Sequence, residues 1–439
     1  MSATAIVAVT AVIVVWGAVA GRLERVELTA PMVLTVVGAT FAAVGLVDAR
    51  EVPPAVHPLV ELTLVWVLFA DAARVRVHDL RNDLGRVVRL LGAGLPLTVL
   101  AGWGFAAWLF PGLGPWAALL IGAALAPTDA ALGVPVVTNP AVPDRIRRLI
   151  TVESGLNDGI VTPVVLVAVA AMGSAGAGPT GGEALLELVI GVVVGIALGV
   201  AGGRLLRTAR AHGWAAEDFV GISVLALALL AYAAAIAVHG NGFVAAFCGG
   251  MAFGGAAGPR GRAELVFLEQ ASGLVSLLVW LAFGAFAVPV VLHDLDWRVV
   301  LYAVLSLTLV RMVPVALSLI GSGLDRSTVL FIGWFGPRGL ASLVFALIAL
   351  EQAGPVAEEA VAVIALTVLL SVLAHGVTAS PLAGRYGRSR APDADARGAP
   401  AIPVRRLPRT FAPPTPRDAV HIRDSSPGEE APPDRPSLE

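Results

Sequence analysis

The chain has 439 residues, of which 57% are hydrophobic and only 14% are charged, and its formal net charge is −2. Because soluble domains carry about 25% charged residues, this composition excludes an ordinary soluble protein and predicts an all-α polytopic membrane protein surrounded by lipid. The small net charge gives no reason to expect a nucleic-acid partner.

Apolar runs of about 20 residues, each long enough to cross a bilayer roughly 30 Å thick, recur from the first residues to about position 385. These runs predict thirteen transmembrane spans, at residues 3–21, 28–47, 57–73, 87–110, 114–134, 147–172, 184–206, 217–238, 241–257, 264–290, 298–320, 327–350 and 358–383.

The arginines between the spans predict the orientation of the chain. Basic residues follow every odd-numbered span, beginning with Arg22 and Arg25, whereas only Arg50 and Arg298 follow even-numbered spans. The positive-inside rule then places the N-terminus outside and the C-terminus inside the cell, in the cell (cytoplasmic) membrane. Because the first apolar run precedes its arginines, we expect no cleavable signal peptide.

The C-terminal segment differs in composition from the rest of the chain. Proline, arginine, aspartate and serine dominate it, and no apolar periodicity continues. We therefore predict a membrane domain over residues 1–385 and a disordered cytoplasmic tail over residues 386–439.

Two spans are interrupted by proline and glycine. The fifth contains Ala126-Pro127-Thr128-Asp129 and the twelfth contains Gly336-Pro337-Arg338-Gly339. If the spans divide as six, one linker and six, these two occupy matching positions in two inverted repeats. Such a pair of broken helices, crossing each other, is typical of a transport site.

Three acidic residues lie within the fifth and sixth spans: Asp129, Glu153 and Asp158. At helical spacing Glu153 and Asn157 share one face, and Ser154 and Asp158 share the adjacent face. Charged groups inside a membrane are costly and usually functional. This stripe of carboxylate, hydroxyl and amide oxygens, beside carbonyls freed at a helix break, predicts a site for a dehydrated monovalent cation.

Other interpretations of these residues carry less weight. A polar network that only holds helices together would not require three acidic residues beside a broken helix. A channel needs a carbonyl filter or a charged ring, and the chain contains no Thr-Val-Gly-Tyr-Gly string. An intramembrane hydrolase could use Ser154 and His375, but no Gly-x-Ser-x-Gly motif surrounds Ser154. We expect no enzyme activity and no cofactor.

Three motifs together make the chain similar to a known family. They are Pro127-Thr128-Asp129, the run from Glu153-Ser154 to Asn157-Asp158, and Gly333-Trp334-Phe335-Gly336-Pro337-Arg338-Gly339. The chain resembles the electroneutral cation/proton antiporters, the NhaP-type bacterial relatives of animal sodium/hydrogen exchangers in the monovalent cation:proton antiporter superfamily. The likeness covers roughly residues 1–385.

The resemblance implies a role for each residue of the motifs. Asp158 takes either the sodium ion or the proton, and Ser154 and the backbone carbonyl of Thr128 assist as ligands of the cation. Asp129 neutralises helix ends where the broken spans cross, and Asn157 ties the sixth span to that crossing.

The resemblance also implies a partner for the arginine of the twelfth span: Arg338 pairs with Glu153. For Arg311, in the eleventh span, stabilising the core and snorkelling towards water are both open. Asp71, beside a basic loop, is interpreted as an ion-paired helix end, and His375 as a structural residue.

The predicted activity is exchange of Na⁺, and potentially Li⁺, for H⁺, with K⁺/H⁺ exchange on the same fold as the alternative. Burial disfavours the charged form of Asp158, so that proton and cation compete for it. Electrogenic relatives have an aspartate where this chain has Asn157, together with a membrane-embedded lysine, and this chain contains no lysine. We therefore expect a one-for-one electroneutral swap.

By resemblance, transport follows an elevator-like displacement in a homodimer. A core of residues about 87–172 and 298–383 moves against a scaffold of residues about 3–73 and 184–290.

Overall fold

The structure, a computed structural model, describes residues 3–23, 26, 28–47, 52–75, 83–129, 132–137, 139–173, 181–258, 261–293 and 295–395. All regular structure among these residues is helical, with no β-strand. The described residues up to Arg390 form one compact unit.

Fifteen helices are used below, counting α4 through its internal π-helical turn and α12 through its break at Thr308. In chain order they are α1 (Ala3–Leu23), α2 (Ala30–Ala43), α3 (Val52–Arg74), α4 (Leu84–Leu109), α5 (Pro115–Ala124), α6 (Val134–Val137), α7 (Asp144–Gly173), α8 (Gly181–Ala211), α9 (Glu217–Ala237), α10 (Gly242–Ala256), α11 (Gly261–His293), α12 (Trp297–Ser318), α13 (Arg326–Trp334), α14 (Leu340–Ala353) and α15 (Glu358–Asp395).

Each predicted span overlaps a helix or a pair of helices in this series. Within the described residues, eight helices are long and apolar enough to cross a membrane. Three shorter apolar helices, α2, α5 and α10, accompany them. The prediction of an all-α membrane protein is therefore confirmed.

Local sequence explains both interrupted spans. Helix α5 begins at Pro115, where the missing N–H costs nothing, and ends at Ala124, three residues before Pro127. Helix α13 ends at Trp334, and residues 335–339 are non-helical before α14 begins at Leu340. Pro337 lies inside that gap, where proline cannot continue a helix.

Small residues allow α8 and α10 to approach each other closely. A Cβ at Gly195 or Gly199 of α8 would meet the backbone of Ala245 or Gly249 of α10. Backbone contact of this kind is typical of helix packing inside membranes, where van der Waals contact replaces the hydrophobic effect.

The last helix, α15, continues to Asp395 and so includes residues 386–395, which the sequence analysis assigns to the tail. The compact membrane unit ends at Arg390. The rest of the predicted disordered tail, residues 396–439, lies outside the described residues.

Candidate functional site

Helix α7 carries the central residues of the candidate site. It contains Pro163 in its interior, which removes the helical hydrogen bond to the carbonyl of Gly159, one residue after Asp158. The Thr162 hydroxyl bonds the carbonyl of Asp158 at 2.7 Å. The helix therefore has a locally altered backbone beside its buried carboxylate.

A cavity of about 400 Å³ adjoins this part of α7. Its walls come from α3, α6, α7, α11 and α14 and from the break after α5. The polar and charged residues in its lining are Asp71, Arg74, Thr128, Asp129, Thr151, Ser154, Asp158, Glu269, Ser272 and Ser276.

Asp158 lies on this cavity with only 8% of its surface exposed. Its Oδ1 atom is buried and has no hydrogen-bond partner. A buried carboxylate oxygen without a donor is costly, and a proton or a bound cation would satisfy it. Helix α7 can approach its neighbours here because Gly155 faces Asp71 and Gly159 faces the ring of Phe247.

Ser154, one turn before Asp158, also lines the cavity. Its Oγ lies 2.9 Å from Thr128 Oγ1, which accepts a hydrogen bond from Asn157 Nδ2 at 2.8 Å. Whichever hydroxyl donates in the first contact, Ser154 Oγ keeps a lone pair for a cation. Asn157 thus ties α7 to the first broken span through the Thr128 side chain.

Asp129 connects the two helix breaks. Its backbone N–H donates to the carbonyl of Pro337 at 2.8 Å, and its Oδ2 accepts from the N–H of Leu340 at 3.0 Å. The carboxylate therefore satisfies a free donor at the N-terminus of α14, where a negative charge also complements the helix dipole. A Cβ at Gly339 would collide with this carboxylate.

Arg338 satisfies the opposite ends of the crossing. It is fully buried, and its guanidinium donates to the carbonyls of Ala126 at 2.9 Å, Pro127 at 3.2 Å and Ser306 at 3.4 Å. The first two carbonyls follow the end of α5, where the chain leaves helical geometry and its acceptors lose their partners.

The predicted pairing of Arg338 with Glu153 differs from the structure. Glu153 Oε1 lies 2.7 Å from Nη2 of Arg311, and both side chains are at most 4% exposed. The two groups form an ion pair without an aligned hydrogen bond, since Arg311 Nη2 has no hydrogen-bond partner by geometry. Arg338 is directed to the freed carbonyls instead, so Arg311 is the counter-ion of Glu153.

Two serines that the sequence did not single out, and His375, complete the crossing. Ser342 Oγ donates to the carbonyl of Ala124 at 2.6 Å, and Ser371 Oγ accepts from the N–H of Arg338 at 2.6 Å. His375 is buried, with ring nitrogens 2.9 Å from the carbonyls of Ser371 and Trp334. Ser154 contacts Thr128, whereas Nδ1 of His375 lies 3.2 Å from Ser371 Oγ, so the structure does not pair Ser154 with His375.

Asp71 has a second role that the sequence did not indicate. It forms the expected ion pair with Arg74, at 3.5 Å, but it also lines the cavity with Asp158. Only the packing of α3 against α7 could reveal that position, because the two residues are distant in sequence.

Comparison with known protein families identifies a match over most of the chain. Residues 8–384 match the family described as "Sodium/hydrogen exchanger, transmembrane".

Curated relatives share moderate identity with the chain. One is the K(+)/H(+) antiporter NhaP2 of Shewanella sp. (strain MR-4), 27% identical over 351 residues, which are 77% of this chain and 60% of the relative. The K(+)/H(+) antiporter NhaP of Alkalimonas amylolytica is 26% identical over 82% of this chain and 63% of its own length. The chain thus spans only about 60% of the length of the relatives it matches.

The Na(+)/H(+) antiporter ApNhaP of Aphanothece halophytica is 34% identical over a shorter stretch, 29% of this chain and 24% of that protein. Among solved structures, the sodium proton antiporter MjNhaP1 from Methanocaldococcus jannaschii superposes with a TM-score of 0.72 at 20% identity. That match covers 87% of this chain and 98% of the other, and it shows a shared fold. The chain belongs to the sodium/hydrogen exchanger family, as an NhaP-type multi-pass protein of the cell membrane.

Proposed function

We propose that the protein exchanges a monovalent cation for a proton at Asp158. The observation that carries this proposal is the buried, unpartnered Oδ1 of Asp158 on a cavity that also contains Ser154 and Thr128. Carboxylate, hydroxyl and carbonyl oxygens are the ligands that hard cations prefer. The names of these relatives, all antiporters of protons, support the same activity.

Mechanistically, one carboxylate serves both substrates. Protonation gives Asp158 an O–H and removes its charge, whereas a bound cation neutralises the charge and takes oxygens from Ser154 and the Thr128 backbone. Proton and cation cannot occupy the site together, and each yields the same local charge. Only a loaded site then crosses without exposing a bare buried charge.

We place the mouth of the cavity on the cytoplasmic side, so that the structure represents an inward-facing state. The exposed rim includes Arg74 and Thr151, and the positive-inside rule assigns the arginine-rich ends of the helices to the cytoplasm. Two contacts support this topology. Asp83 Oδ1, just before α4, lies 2.5 Å from Arg145 Nε at the start of α7, and Arg86 donates to the carbonyl of Ser322 after α12 at 2.7 Å.

We propose an elevator-like movement of the core (residues about 87–172 and 298–383) against the scaffold (residues about 3–73 and 184–290). In support, the cavity lies between α3 and α11 of the scaffold and α7 and α14 of the core. Elsewhere α11 and α14 pack against each other, and their apolar side chains Phe283, Phe286, Leu343 and Leu347 line a cavity of only about 20 Å³. This apolar contact would seal the route to the outside while the cavity is open to the cytoplasm.

The crossing of α5 and α14 supports inverted repeats. We also propose that the charged residues at this crossing do not change their charge during transport. Asp129 caps a helix N-terminus and Arg338 binds freed carbonyls, so both keep their charges through the cycle. Glu153 is held by Arg311 and Asn157 cannot titrate. One titrating site predicts an electroneutral exchange of one cation for one proton.

Sodium is our first proposal for the cation, and potassium is the second. The names of the relatives that cover most of the chain support potassium, whereas the shorter match to a Na(+)/H(+) antiporter supports sodium. The ligand set itself, one carboxylate and two or three neutral oxygens, suits either ion. We also propose a homodimer formed through the scaffold, on the strength of the family resemblance.

The experiment is proton movement in proteoliposomes that contain a pH-sensitive dye, with Na⁺, Li⁺ or K⁺ added in turn. We expect dequenching with at least one of these ions, and none for Asp158→Asn at equal protein content. Exchange by Asp158→Asn above a few per cent of wild type would refute the single-carboxylate mechanism.

A further inference from the structure

A cluster of charged side chains lies where the exposed end of α3 meets the cavity that also contains Asp158. Arg74 is the last residue of α3, and it binds Glu269 of α11 through contacts of 2.8 Å from Nε and 2.7 Å from Nη2 to Oε1. Its Nη1 lies 3.5 Å from Asp71 Oδ1. All three residues line the same cavity as Asp158.

The three side chains of this mouth cluster (Asp71, Arg74 and Glu269) are partly exposed. Arg74 is 46% exposed, Asp71 31% and Glu269 32%. An ion pair with this much solvent contributes little to stability, and the interaction with the helix dipole adds only a small further amount for an exposed cation at the C-terminal end of α3. Stability alone therefore gives a weak reason for a positive charge in this particular place.

The position of Arg74 at the mouth of the cavity gives a stronger reason for a positive charge there. On the proposed function, which this inference requires, a cation travels from the cytoplasm through the mouth to Asp158. From Glu269, a stripe of hydroxyls continues along the same face of α11 through Ser272 and Ser276. The oxygens of that stripe line the cavity, whereas the guanidinium of Arg74 opposes a cation at its entrance.

We propose that Arg74 sets the apparent affinity for the transported cation, as a tethered counter-charge held by Glu269 and Asp71. The guanidinium offsets part of the negative potential that the carboxylates create in a narrow, low-dielectric opening. Such a potential raises the local concentration of cations. Without Arg74 the mouth would concentrate cations more strongly, and without Glu269 it would concentrate them less.

The prediction concerns the sign of each effect. Arg74→Gln makes the mouth one charge more negative, so the KM for the cation should fall by about threefold at low ionic strength. Glu269→Gln makes it one charge more positive, so KM should rise by a similar factor. The double variant restores the net charge and should lie near wild type, with maximal rates little changed throughout.

A purely structural ion pair predicts a different pattern. Breaking the pair from either side would then impair transport in the same direction, mainly in the maximal rate. Arg74→Lys separates the two explanations further, because it retains the charge but loses the paired geometry of a guanidinium. On our proposal its KM stays close to that of wild type.

The test uses everted membrane vesicles, whose outer surface is the cytoplasmic face, with KM for Na⁺ (or for K⁺, if only K⁺ is transported) from initial rates of proton movement. Arg204→Gln is the matched control, because Arg204 is exposed on α8 and does not line the cavity. The opposite shifts should shrink when choline chloride raises the ionic strength, since salt screens exposed charges.

Shifts of the same sign for Arg74→Gln and Glu269→Gln, no shift in either, or shifts insensitive to salt would overturn the proposal. Should one Gln variant fail to accumulate, the sign and the salt sensitivity of the KM shift in the other Gln variant decide the question. Loss of cation-dependent exchange in the wild type, or its persistence in Asp158→Asn, would instead show that the proposed function itself is wrong.

Discussion

Separating Glu153 from Arg311 would leave a charge inside the membrane domain without its counter-ion. Both side chains are at most 4% exposed and their charged atoms are 2.7 Å apart. Removing one partner of such a buried pair costs about 3–5 kcal/mol in soluble proteins, most of it from the charge left behind. Glu153→Gln should cost more than Arg311→Met, because it leaves two buried guanidinium groups, those of Arg311 and Arg338.

Removing both partners leaves no orphaned charge from the pair. The double variant Glu153→Gln/Arg311→Met should therefore lose much less than the sum of the single losses, with a coupling energy of about 2 kcal/mol or more. At about 2 °C per kcal/mol, each single change should lower the melting temperature by roughly 6–10 °C.

Intrinsic tryptophan fluorescence during heating in detergent measures these losses. The control is a second cycle that combines Glu153→Gln with Arg338→Met, because Arg338 binds the carbonyls of Ala126 and Pro127. We expect weaker coupling in the second cycle. Additive losses for Glu153 and Arg311, together with strong coupling of Glu153 to Arg338, would refute the pairing and favour the arrangement expected from the sequence.

Three other predictions address the cation ligands, the helix crossing and the stoichiometry. Ser154→Ala removes a neutral ligand and should raise the KM for the cation about tenfold, roughly the effect of one lost hydrogen-bond-strength contact, with exchange retained; an unchanged KM would exclude Ser154 as a ligand. Gly339→Ala should destabilise the protein by about 1–3 kcal/mol, because its Cβ would collide with the Asp129 carboxylate. The control Gly104→Ala should be tolerated, because its Cβ meets nothing within 4 Å. Equal melting temperatures for the two variants would contradict this account of the crossing. In liposomes, a membrane potential is set by valinomycin and a potassium gradient, or by another ion gradient if K⁺ is the substrate. The end-point cation gradient should not depend on this voltage. If exchange moved a net charge, each charge would add about 2.3 kcal/mol per 100 mV, and the gradient would shift with voltage.

Much of the fold could be predicted from residue type alone. Apolar runs define the helices because lipid requires every backbone group to be satisfied within the segment, and proline and glycine indicated both breaks. The spacing of Ser154 and Asp158 predicted that they share one face of their helix, and both residues do line the cavity. Each of these features depends on neighbours close in sequence.

The partner of Glu153 could not be predicted in this way. Arg311 and Arg338 are both arginines inside apolar spans, and either could neutralise the same carboxylate. The choice depends on which guanidinium the freed carbonyls at Ala126 and Pro127 engage, and that requires the folded crossing. The contacts of Ser342 and Ser371 also form only in the folded crossing, so their neighbours in sequence did not predict them.

The central claim is that proton and cation compete for Asp158. The most direct test is the apparent KM for the cation, measured in proteoliposomes as a function of pH from initial rates. Competition at one site predicts that KM rises as pH falls, approaching about tenfold per pH unit on the acidic side, while the maximal rate changes little, as mass action requires for exclusive binding. A KM independent of pH, a steeper dependence that indicates two protons, or unchanged competition in Asp158→Asn would contradict the claim.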